Sequence, residues 1–116
     1  MRAILINPFD ETIKEAVYTG DYREIYDLIE CQTFDIVNLF KVEDDLYVDD
    51  EGLFKDNQRY FSIEGKNLAG RGLILSSDGE GESIGTTLTV EQVKEIVDFL
   101  PEGHKEIPHM EFTAWK

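Results

Sequence analysis

The stretch EDDLYVDDEGLFKD, residues 43–56, is where the reading of the fold begins. Leu46, Tyr47 and Val48 have strand character, and Leu53 with Phe54 resumes it after Asp49, Asp50, Glu51 and Gly52. Asp favours turn starts and Gly takes a positive φ at little cost, so the four residues predict a turn between two strand arms. The same stretch carries the densest acidic charge of the chain. Seven acids lie between residues 41 and 60: Glu43, Asp44, Asp45, Asp49, Asp50, Glu51 and Asp56. They crowd the ends of the apolar run, which leaves two readings open: a solvated hairpin, or a surface that meets something basic.

Outward from this hairpin the pattern stays strand-rich. Ile4, Leu5 and Ile6 form a short apolar run closed by Asn7-Pro8, and Thr12 to Tyr18 alternates imperfectly, so residues 2–18 predict an N-terminal hairpin. Asp21 with Glu24 three residues on reads as a capping box for a helix to about Glu30, with Tyr22, Ile25, Tyr26, Leu28 and Ile29 as its apolar stripe. Residues 34–40 read as a largely buried strand, 59–63 as another, and the aliphatic end of 68–77 as a further buried strand. Thr89 and Gln92 form the clearest local signature, a capping box with Leu88 stapling onto Val93. That helix buries Val90, Val93, Ile96, Val97 and Leu100 and stops at Pro101.

The expected fold class is therefore α+β: a single domain, mainly an antiparallel twisted sheet of five to six strands, with two helices. Short turns between strands disfavour a parallel α/β sheet. The domain spans residues 1–101. Residues 102–116 form a C-terminal tail whose Met110, Phe112 and Trp115 predict docking on the domain or on a partner.

Composition narrows the function. In 116 residues, 25 acids against 11 basic residues give a net charge of −14. No two basic residues are adjacent, whereas contact with a phosphate backbone needs clustered Lys and Arg. Direct binding to nucleic acid or to an anionic membrane is therefore not expected. The N-terminal apolar run is too short for a signal peptide, no run reaches the ~20 apolar residues of a membrane helix, and Cys31 is the only cysteine. A cytoplasmic protein without disulfides is expected.

Chemistry is not advertised. Asp44, Asp45, Asp49, Asp50 and Glu51 offer hard oxygen ligands, yet they do not follow the alternating pattern of a calcium loop. Asp78, Glu80 and Glu82 alternate with glycines but lack a closing Glu. Gly70-Arg71-Gly72 lacks the Lys-Ser/Thr ending of a phosphate loop, so its glycines predict a bulge or a close backbone approach. His104 and His109 would need two more zinc ligands, and no serine sits in a nucleophile elbow. No cofactor, metal or catalytic residue is expected.

Four stretches together carry a resemblance: Ala3-Ile4-Leu5-Ile6 with Pro8; residues 48–53, Val-Asp-Asp-Glu-Gly-Leu; residues 72–80, Gly-Leu-Ile-Leu-Ser-Ser-Asp-Gly-Glu; and residues 87–93, Thr-Leu-Thr-Val-Glu-Gln-Val. Over residues 1–100 the chain resembles a small domain family of unknown function carried by bacteriophages, plasmids and their hosts. The resemblance implies a conserved fold and a mobile-element setting, and brings no catalytic residues. The leading expectation is a non-enzymatic accessory protein acting by protein–protein contact, including imitation of nucleic-acid charge before a basic partner surface. Asp44, Asp45, Asp49, Asp50, Glu51 and Trp115 are the candidate contact residues. The alternatives are a homo-oligomeric assembly component, joined through a strand edge or the tail, and a divalent-cation-binding or hydrolytic protein.

Overall fold

Alternating aliphatic residues make Arg2–Asn7 a strand, β1, and the loop tip at Asp10 and Glu11 returns the chain antiparallel as β2, Thr12–Val17. The computed structural model describes residues 1–39, 44–52, 58–77 and 83–104. Within them follow helix α1 (Arg23–Ile29), β3 (Phe34–Asn38), β4 (Asp45–Asp49), β5 (Tyr60–Ile63), β6 (Lys66–Ala69), β7 (Gly72–Ser77), β8 (Ser83–Ile84), helix α2 (Val90–Ile96) and β9 (Val97–Phe99). The class is α+β, as expected.

The main sheet is antiparallel in the order β2-β1-β7-β4-β3, with β8 continuing on β7. A second sheet, β6-β5-β9, is also antiparallel. Strand alternation sends neighbouring side chains to opposite faces. Ala3, Tyr47, Leu73 and Leu75 therefore face α1 and join its buried Ile25 and Ile29. Ile4, Ile6, Leu46, Val48 and Ile74 face the other way, against Phe61 and Ile63 of the second sheet and Val93 of α2. The main sheet is thus covered on both faces.

Gly72 sets the spacing between the two sheets. A Cβ there would stand 2.8 Å from Phe61 Cζ and 2.9 Å from Leu46 Cδ1. The Phe61 ring occupies the room that a side chain would need, which is the close approach read from this glycine pair.

Several expectations need correction. Both edges of β4 are taken, by β3 on one side and β7 on the other. The hairpin partner of Leu46–Val48 is therefore β3, not the Leu53-Phe54 arm, and those two residues lie outside the described ones, as does Phe40. Strand β3 is an edge strand with Asp35, Ile36 and Asn38 exposed, rather than a buried one. Residues 68–77 divide between β6 and β7. Asp21 does not form a capping box: its Oδ1 accepts the N–H of Arg23 at 3.1 Å, and the carboxylate also holds the Arg23 guanidinium. Glu24 instead reaches back to the Thr19 N–H and hydroxyl. Helix α2 ends at Ile96, because Val97 and Phe99 gain more from pairing with Ile63 and Phe61 than from another helical turn. The Thr89–Gln92 capping box is present with both of its bonds.

Candidate interaction surface

The five central acids occupy the two ends of β4. The strand advances about 3.4 Å per residue, so Asp44 and Asp50 stand roughly 20 Å apart. They do not form one patch.

Asp44 is turned inward and 5% exposed. Its Oδ1 accepts the Ser76 hydroxyl at 2.7 Å, and its Oδ2 accepts the Thr86 hydroxyl. Thr86 Oγ1 in turn accepts the Leu88 N–H at 3.1 Å. This carboxylate ties β4 to β7 and to the lead-in of α2. A buried charge with two hydroxyl donors is a fastening, since leaving it unbonded is costly. Asp45 is half-buried beside it on the opposite face of the strand. At the far end Asp49 is also buried, and its Oδ1 accepts the Glu51 N–H at 2.9 Å, shaping the turn. Only Asp50 and Glu51 face solvent.

These two acids lie beside a feature that the sequence did not announce. Asp50 N–H bonds to the Thr33 carbonyl, which places it at the start of β3. Four rings run on from there: Phe34 to Tyr47 at 5.4 Å, Phe34 to Tyr26 at 5.3 Å and Tyr26 to Tyr22 at 6.2 Å between centroids. Tyr22 and Ile36, at the margins of this strip, are 59% and 47% exposed. Ile36 follows Phe34 on the same face of β3 and pairs with Tyr47. Asp35, exposed between them, turns its Oδ1 to the Ile36 N–H at 3.0 Å. An apolar, aromatic strip is thus bordered by Asp50 and Glu51, while Asp35, in register with Val48, starts from the opposite face of β3 and turns to its edge. Tyr22 and Tyr26 stand in the predicted helical stripe, but its buried members are Ile25 and Ile29. Only the shortness of α1, seven residues, hints that part of the stripe stays uncovered.

Electrostatics around α1 follow from local contacts. The Arg23 guanidinium and N–H hold the Asp21 carboxyl below its ordinary range. Burial, then Tyr47, Glu24 and Asp21, push the Tyr18 phenol up. Arg71 pairs with Glu30 at 2.7 Å, partly offsetting the acids at the C-terminal end of α1.

Among the described residues no group of three or more His, Cys, Asp or Glu side chains is placed to hold a metal ion, and no helix is long and apolar enough to cross a membrane. The half-calcium pattern of Asp78, Glu80 and Glu82, together with His109 and Trp115, lies outside the described residues. His104 packs edge-on against Tyr60, with ring centroids 5.1 Å apart.

Comparison with curated proteins and with solved structures yields no match. The sequence profile of one family, described as a domain of unknown function, DUF3846, matches residues 1–100, a span that holds the main sheet, both helices and the aromatic strip with its acidic rim. The chain belongs to the DUF3846 family.

Proposed function

We propose that the chain is a non-enzymatic binding module that acts by protein–protein contact with a partner presenting a basic surface. The observation that carries this reading is the strip of Tyr22, Tyr26, Phe34 and Ile36 with Asp50 and Glu51 beside it. An apolar centre with a polar rim is the usual anatomy of a protein interface, and aromatic anchors supply most of the binding energy there. The net charge of −14 selects a basic partner and speeds the encounter. A surface that otherwise grips a phosphate backbone fits this charge, which suits the mobile-element setting implied by the resemblance.

Edge-to-edge association of copies through β3 is less favoured. Asp35 occupies the outward N–H of Ile36, and a charge on an edge strand is a common guard against pairing.

The test is competition. A basic DNA-binding protein of the host is loaded with labelled duplex, and displacement is followed by anisotropy at about 50 and 300 mM salt, where screening differs. The wild-type chain displaces duplex at low salt. The double variant Asp50→Asn, Glu51→Gln and the variant Ile36→Ser each lose that activity. Displacement that survives in both variants refutes this surface.

A further inference from the structure

Away from the aromatic strip, a groove of about 450 Å³ runs between the outer strand of each sheet. One wall is Thr12, Ile13 and Lys14 of β2, and the other is Lys94 of α2 with Val97 and Phe99 of β9. Both strands are terminal in their sheets. Met1 and Tyr18 exchange both backbone bonds, at 2.7 and 2.9 Å. Bonded pairs alternate along an antiparallel ladder, so Ala16, Lys14 and Thr12 bond to β1 while Ile13, Glu15 and Val17 direct their backbone groups outward. On the facing strand, Leu100 N–H bonds to Tyr60 O, which by the same alternation turns the Phe99 backbone outward. Among the described residues the groove thus offers two open ladder edges, an apolar floor and two lysines.

We propose that this groove is the docking site of the chain's own C-terminal segment, residues 105–116, taken up as an extended strand. The chain is already turned for it. Directly after β9 the His104 N–H bonds to Pro101 O at 3.1 Å with Gly103 at φ +90°, a reversing turn at the end of the described residues. Twelve residues remain beyond His104. Extended, they reach about 40 Å, against the ~20 Å length of β2. Their sequence suits the walls: Met110, Phe112 and Ala114 alternate with Glu111 and Thr113. One face then meets Ile13, Val97 and Phe99, and Glu111 on the other face, with Glu106 ahead of the Pro108 break in the strand, complements Lys14 and Lys94. Tethering at His104 gives this segment an effective concentration of about millimolar, which favours it over a strand from another molecule. The inference is independent of the acidic surface proposed above.

Two measurements on the full chain test it. Hydrogen exchange compares wild type with Met110→Asp/Phe112→Asp, which leaves the described residues untouched. The expected result is that amides of Ile13, Glu15 and Val17 exchange at least about tenfold faster in the variant, with Ile4 and Ile74 unchanged. Equal exchange at the three β2 amides overturns the proposal. Zero-length carbodiimide coupling of the wild type should join Lys14 or Lys94 to Glu106 or Glu111 within one chain, read by mass spectrometry of the monomer band. Links only between two chains identify a second copy as the occupant and overturn it, as does the lack of any link from either lysine to that segment.

Discussion

Asp44 Oδ1 accepts the Ser76 hydroxyl at 2.7 Å across 32 residues of sequence, and its other oxygen accepts from Thr86. Removing the carboxylate strands two hydroxyls, one of them buried. Asp44→Ala should cost about 2–4 kcal/mol in urea unfolding, the scale for buried groups left without partners. Asp44→Asn keeps one acceptor and should cost less than half of that. Equal losses in the two variants would show that side-chain volume, not hydrogen bonding, is what matters there.

The contact of Gly72 with Phe61 predicts a steric result. Gly72→Ala places its methyl on the Phe61 and Leu46 side chains and should destabilise by about 1–3 kcal/mol, the range for overpacked cores. Adding Phe61→Leu opens room, so the double variant should be more stable than the sum of the two single losses. Strict additivity in a double-mutant cycle would refute the clash.

Removing the Thr89 cap has a smaller and more local effect. Thr89→Ala loses the bond to the Gln92 N–H and should cost about 1 kcal/mol. Thr89→Ser should restore most of it, as measured by thermal melting.

Asp21 makes an acid-side prediction. Its folded carboxyl lies below the ordinary value of about 3.9 through Arg23, so the unfolded chain binds the proton first as pH falls. The contribution is complete above that ordinary value and is lost as pH drops through the lowered one. In a carboxyl-carbon NMR titration, Asp21 should show a midpoint below the ordinary aspartate value, and Arg23→Gln should raise it. An unmoved midpoint removes the guanidinium as the cause.

Tyr18 gives the alkaline counterpart. Burial keeps its phenol neutral beyond the ordinary value of about 10, where the unfolded chain already ionises. Its contribution to stability is therefore present below pH ~10 and declines as pH climbs toward the raised value. Absorbance at about 295 nm should show a late-titrating tyrosine that Tyr18→Phe deletes.

What could be read from the sequence was what neighbours in sequence decide. The Thr89 cap and the β1–β2 hairpin depend on residues a few positions apart, and both stand where expected. Partners far along the chain were not legible. The nearest turn points to Leu53 and Phe54 as the neighbours of β4, yet its edges pair with β3 and with β7. Asp44 looked like surface charge for the same reason: its two hydroxyl donors are 32 and 42 residues away. Helix periodicity carried through Val97 because those residues also suit a strand, and pairing with Phe61 and Ile63 decided between them. The exposed strip was hidden because Tyr26 and Phe34 read simply as core.

The pairing of Ile4 with Ile74 has a temporal consequence. The β1–β2 hairpin leaves the ribosome ahead of the strand that completes its sheet, which follows about 70 residues later, some 4–14 s at typical synthesis rates. Until then the free edge of β1 and the apolar flank of Ile4 and Ile6 have no native neighbour. The main sheet therefore cannot close on β1 until residue 74 has been made.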